Sequence, residues 1–179
     1  MRESLVAEYD PAWPGRFEAV CRVVEPALRG LSYRFEHVGS TAVPGMVAKP
    51  IIDLDVVINA GSFGEVKTRL GSLGYVHEGD LGIPGREAFA LRTGVLRVLP
   101  PHHLYVCEEG SEPLHNHLAF RDFLRGHAEW RDRLSRHKRE LAVQHGNDKE
   151  RYIEGKAAMV EEITALALAE GQARGRYRT

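Results

Sequence analysis

Residues 37–58 read HVGSTAVPGMVAKPIIDLDVVI, and the reading of this stretch decides the fold. Gly39 and Ser40 open a turn, small residues and Pro44-Gly45 carry the chain round, Lys49 follows, and an apolar run presents Asp53 and Asp55. A run such as IIDLDVVI is apolar enough to sit inside a sheet. Side chains alternate across a strand, so both carboxylates share one face. Burying unpaired carboxylates is expensive, so something cationic should offset them. Two carboxylates one pleat repeat apart can share a hard divalent cation such as Mg²⁺, which prefers oxygen ligands and keeps room for substrate phosphates. The turn upstream supplies the complementary half: glycine lets backbone N–H groups approach a phosphate, and the serine hydroxyl can donate to it. The competing reading is two solvated carboxylates on an edge strand after an ordinary turn.

The chain around this stretch has 179 residues, 43% hydrophobic and 27% charged, which suits one domain with a real core. A single domain over 1–170 is expected, followed by a basic tail over 171–179. The 24 basic and 25 acidic residues nearly cancel, so nucleic acid, which calls for a basic surface, is not an expected partner. The sequence shows neither a long apolar span nor a charged-then-apolar leader, which predicts no membrane partner and a cytoplasmic location. Cys21 and Cys107 stand in no metal-ligand spacing and are expected to be reduced, packed thiols.

Upstream, Trp13, Phe17, Val20, Cys21, Val24 and Leu28 recur at helical spacing and predict an amphipathic helix over 13–29, ended by Gly30. Residues 33–38 predict the first strand and 51–58 the second. His37 either orients the turn or packs in the core. A crossover helix is expected over 63–73, stopped by Gly74. A strand starting at Tyr75, a Gly/Pro-rich loop, a hairpin pairing 89–92 with 96–99 around Thr93-Gly94, and a strand over 102–107 follow. The last third is helical, over 117–126, 128–143 and, capped by Asp148, about 149–170.

The order Gly39-Ser40, then Asp53-x-Asp55, resembles the nucleotidyltransferase superfamily of the DNA-polymerase-β type. More closely, the chain resembles the GrpB-like family, through YDPAWPGRF, the 37–58 block, IPGREAFAL, HHLYVC, HLAFRDFLRGH, HKRELA and RYIEGKAAMV. The resemblance implies an α/β (α+β) fold: a mixed, largely antiparallel sheet of five or six strands, an N-terminal and a crossover helix against it, and a helical C-terminal layer walling a cleft. It implies that Asp53 and Asp55 hold Mg²⁺ or another divalent metal and that Gly39 and Ser40 seat phosphates. Lys49, Arg86 and Lys156 are candidate charge partners. Lys138 and Tyr152 match family positions, and with Lys156 are expected to close over a triphosphate.

The superfamily commonly adds a third carboxylate from a neighbouring strand. The comparable segment here reads HHLYVCEE and offers His103 and Tyr105 instead. His103 is therefore a candidate metal ligand, although imidazole is softer than Mg²⁺ prefers. Two functions follow. One is metal-dependent transfer of a nucleoside monophosphate from a nucleoside triphosphate to an unidentified acceptor. The other is a nucleotide- or phosphometabolite-binding module with little or no turnover, linked to coenzyme A metabolism because GrpB-like segments occur fused to dephospho-CoA kinase.

Overall fold

A computed structural model describes residues 5–92, 99–145 and 148–174. Its elements in order are α1 (Trp13–Val24), β1 (Tyr33–Val38), β2 (Ile52–Ile58), α2 (Phe63–Ser72), β3 (Tyr75–Gly79), β4 (Arg86–Leu91), β5 (His102–Glu108), α3 (Glu112–Gly126), α4 (Ala128–His145) and α5 (Lys149–Ala173). The chain divides into two compact units: one gathers the described parts of 12–38 and 51–115, the other those of 1–11, 39–50 and 116–179. Among the described residues no helix is long and apolar enough to cross a membrane.

The first unit is built on a five-stranded sheet of order β1-β2-β5-β4-β3. Only β2 and β5 pair in parallel; β1 with β2, β3 with β4 and β4 with β5 are antiparallel. This is the mixed, largely antiparallel sheet that the sequence predicts. One face carries Leu54, Val56 and Ile58 of β2, Leu104 and Val106 of β5, and Phe89 of β4. These meet Val20 and Val24 of α1 and Val66 and Leu70 of α2, so the two helices cover that face. Burying each such aliphatic side chain stabilises the unit by about 1.5–3 kcal/mol.

The predicted helix over 13–29 is shorter, because α1 stops at Val24 and a 3₁₀ turn spans Glu25–Leu28. Pro26 supplies no N–H for the next α-helical bond. Helix α3 starts at Glu112 rather than at 117, with Pro113 inside its first turn, where a missing N–H costs nothing. Helix α5 runs to Ala173, past the expected boundary at 170, and Gly171 is buried within it. The predicted hairpin partner at 96–99 falls largely outside the described residues; the antiparallel partners of β4 are β3 and β5.

The second unit packs residues 39–50 against α3, α4 and α5. Val43 and Met46 join Leu124, Leu134 and Ile163 in one core, and Val47 joins Val6, Leu141, Ala142 and Tyr152 in another. The segment that the sequence presents as a turn is thus the apolar filling of a helical unit. Asp148 caps α5 as expected, its side chain accepting from the Arg151 N–H.

At the start of β5, His102 Nδ1 donates to the Pro100 carbonyl at 2.8 Å, so Nε2 is left to accept from the Tyr75 hydroxyl at 2.7 Å. This arrangement fits the neutral ring, and burial holds the His102 pKa below its ordinary 6.5. Below pH 6.5 the unfolded chain therefore binds more protons at this position than the native one, and the stability of the neutral ring is lost as pH falls. Urea unfolding of wild type and His102→Asn at pH 7.5 and pH 5 should show a smaller drop in the variant. An equal drop would assign the acid sensitivity to other groups.

Candidate functional site

Strand β2 presents Asp53 and Asp55 on the face of the sheet opposite α1 and α2. Alternation requires this, because Leu54 and Val56 between and beyond them lie in the helix-covered core. The register completes the face: Asp53 lies beside Val38 and His103, and Asp55 beside Glu36 and Tyr105. Asp55 is fully buried, whereas the Asp53 side chain is 29% exposed. His103 Nδ1 donates to Asp53 Oδ1 at 2.9 Å, which turns Nε2 away as the remaining ligating or accepting atom.

Arg86, at the start of β4, shares this face, with its guanidinium 4.4 Å from the centroid of the Tyr105 ring. That contact is a cation–π pair and holds the charge over β5, the strand next to the carboxylates' own. Its Nε has no hydrogen-bond partner among the described residues. Tyr105 is the β5 residue paired with Asp55. Burial, with the Asp53 charge adding to it, pushes its phenol up to about 12, so at neutral pH it stays an uncharged hydroxyl. Burial likewise pushes the Cys21 and Cys107 thiols up to about 12; both are free, and neither is a thiolate at neutral pH.

Among the described residues no three His, Cys, Asp or Glu side chains converge on one metal position. Two carboxylates on one face nevertheless suit Mg²⁺, which takes one or two protein carboxylates and completes its shell from water and substrate phosphates. The donor set therefore fits a cation that keeps most of its coordination positions for other ligands better than one enclosed by the protein.

In the helical unit, Gly39 adopts φ 68° and ψ −167°, a backbone that L side chains rarely adopt, and a 3₁₀ turn over Ser40–Ala42 follows. Lys138 of α4, only 3% exposed, donates from Nζ to Ser40 Oγ at 2.6 Å and to the Val47 carbonyl at 3.0 Å. One turn earlier, Ser135 Oγ accepts from the Val47 N–H at 3.2 Å. Both backbone polar groups of Val47 are thereby satisfied by α4. Arg125 of α3 grips the Ala42 carbonyl through Nε at 2.9 Å and Nη2 at 2.7 Å.

Lys49 and Lys156 meet over one ring: their Nζ atoms lie 4.7 Å and 5.8 Å from the centroid of Tyr152, which is 1% exposed. Burial lowers the Lys49 pKa, and the charges of Lys156 and Lys149 lower it further. A cluster of lysines in mutual repulsion is relieved by an anion. A cavity of about 260 Å³ among α3 and α5, bordered by Asp122, Phe123, His127 and Glu170, contains none of the candidate metal or phosphate ligands Asp53, Asp55, His103, Gly39, Ser40, Lys49, Arg86 and Lys156.

The structure thus gathers Asp53, Asp55, His103 and Arg86 on one sheet face, and Lys49 with Lys156 around Tyr152. Ser40 is joined to Lys138. His37, in contrast, pairs in register with Leu54 on the helix-covered side and stacks on Phe17 of α1 at 4.7 Å between ring centroids. Arg121 and Asp122 pair with each other, Nε to Oδ1 at 2.7 Å. Sequence reasoning missed Glu36, although its spacing two residues before Val38 was available once the β1–β2 register is known. It also missed Ser135 and Arg125, whose bonds to the backbone of Val47 and Ala42 no sequence pattern names.

The chain matches the model of the family described as GrpB protein over residues 4–166. It is 36% identical over 121 residues to UPF0157 protein YqkA of Bacillus subtilis, covering 67% of this chain and 34% of that one. The chain therefore spans about a third of the length of that relative. Among solved structures, conserved protein GrpB from Enterococcus faecalis superposes with a TM-score of 0.79 at 30% identity, covering 92% of this chain and 98% of that one. Cid1 poly(U) polymerase, with MgGTP bound, superposes with a TM-score of 0.51 at 12% identity over 75% of this chain and 44% of that one, a likeness of fold alone. The fold is accordingly of the nucleotidyltransferase type, and with the family pattern running through nearly all of its length this chain belongs to the GrpB family.

Proposed function

We propose that this protein transfers a nucleoside monophosphate from a nucleoside triphosphate to an acceptor, with Asp53 and Asp55 as the catalytic carboxylates. The observation that carries the reading is their placement on one face of β2, with Asp55 fully buried in a sheet of nucleotidyltransferase type. When bound, a divalent cation such as Mg²⁺ neutralises phosphate charge and fixes the line of attack. Asp53 and Asp55 supply the anionic oxygens that hold it, and His103 orients Asp53 while keeping Nε2 as a further ligating atom. Gly39 and Ser40 donate to phosphate oxygens, and Lys49, Arg86 and Lys156 offset the remaining charge. The acceptor is a small molecule or macromolecule that these groups do not identify.

A second reading, a nucleotide- or phosphometabolite-binding module without turnover and with a role near coenzyme A metabolism, is favoured by one observation. The residue beside Asp55 on β5 is Tyr105, an uncharged hydroxyl rather than an acid. Calorimetric titration with a panel of nucleoside triphosphates, with and without Mg²⁺, tests both. Binding that requires Mg²⁺ and is followed by release of pyrophosphate on addition of an acceptor supports transfer. Binding indifferent to Mg²⁺ supports the module, and the absence of all binding overturns both.

A further inference from the structure

We propose that Lys138 is a positioning residue for anion binding at Ser40: it fixes the Ser40 hydroxyl as a donor and sets a buried positive charge behind it. The inference rests on the reading of Ser40 as a phosphate contact and names the residue that makes Ser40 fit for it. An ammonium group has three donors and no acceptor, so in the 2.6 Å contact Nζ donates and Oγ accepts. The hydroxyl proton of Ser40 is then the part of the group left to bond outward. Ser40 is partly exposed while Lys138 is 3% exposed, so Ser40 is the more accessible of the two to an incoming anion.

Burial strengthens this relay. A hydrogen bond from a charged donor polarises the hydroxyl it meets, and chains of such bonds reinforce one another where the dielectric is low. Desolvating an ammonium is costly, and packing alone would favour an apolar residue beside Leu134 and Leu141 on α4. The second bond, to the Val47 carbonyl at 3.0 Å, holds the ammonium in register with Ser40 and fastens the 39–50 segment to α4.

That fastening is the competing explanation, and Ser135 separates the two roles. Ser135 binds the Val47 N–H one turn away, so Ser135→Ala loosens the same segment without touching Ser40. The test uses inorganic tripolyphosphate as the probe, titrated by calorimetry without divalent cations into wild type, Lys138→Met, Ser40→Ala, the double variant and Ser135→Ala. The expected result is at least a tenfold loss for Lys138→Met, less than threefold for Ser135→Ala, and a double variant no weaker than Ser40→Ala within twofold.

An additive double variant would mean that Lys138 acts by another route, and a Ser135→Ala loss equal to that of Lys138→Met would reduce it to fastening. Either overturns the proposal while leaving phosphate binding in place. Wild type that fails to bind tripolyphosphate overturns the phosphate reading and this proposal together. If Lys138→Met does not fold, ¹⁵N spectra of the lysine ammonium groups carry the test. The Lys138 signal should shift on saturation with tripolyphosphate in wild type and stay fixed in Ser40→Ala; a shift in both, or in neither, overturns the relay.

Discussion

Replacing Asp53 and Asp55 together with asparagine should weaken Mg²⁺-dependent nucleoside triphosphate binding at least a hundredfold, about 2.7 kcal/mol, while leaving thermal stability unchanged or raised. The opposite signs follow from one arrangement. Asp55 is fully buried, and the β1–β2 register sets Glu36 across from it on the same face, with Asp53 two residues along. Carboxylates so placed repel one another where solvent reaches them poorly, while Arg34, paired with Glu36 at 3.1 Å, and Arg86 on the same face offset part of that repulsion. Asparagine keeps the shape and removes the charge. The bond from His103 to Asp53 is lost as an ion contact, but both side chains are substantially exposed, and such contacts contribute little. A structural role for the pair predicts the reverse pattern: a fall in melting temperature with nucleotide binding intact. That outcome would sink the metal-site reading.

The sheet was legible because its strands obey two simple patterns. IIDLDVVI is too apolar for a surface strand and too short for a helix, and β1 and β2 fall at 33–38 and 52–58, within a residue of where alternation and turn residues put them. The Asp53–Asp55 face was legible for the same reason, since a period of two leaves no choice of side. What neighbours that face was legible only in part. His103 and Tyr105 were reached through the family resemblance and not through alternation, and Glu36 was missed, because neighbours across strands are set by register, and the parallel β2–β5 pairing joins segments 50 residues apart.

His37 shows the same limit from the other side. It adjoins the Gly-Ser turn in sequence, yet one residue of alternation sends it to the helix-covered face and against Phe17. Two of the helix ends that differ, at Val24 and Glu112, differ at prolines whose effect depends on the turn they occupy. The 39–50 segment was the hardest to read. Its glycines and prolines announce a turn, while Val43, Met46 and Val47 among them are core residues that no period marks.

Met46→Ala provides the direct check on that last point, with an expected loss of about 2–5 kcal/mol in urea unfolding, the range for truncating a buried Met that leaves a cavity. A methionine in an exposed turn would cost no more than about 0.5 kcal/mol. Met46 is 0% exposed, packs with Val43, Leu124, Leu134 and Ile163, and its Sδ accepts from Ser135 Oγ at 3.2 Å. The same Ser135 holds Val47, and Val47 shares Lys138 with Ser40. Loss of the Met46 packing should therefore reach the anion site: tripolyphosphate affinity should fall on warming in step with the helical circular-dichroism signal, at a lower temperature than in wild type. Affinity that survives unchanged up to the wild-type transition would show that Ser40 and Lys138 are held by contacts independent of this core, and that the segment behaves as a loop after all.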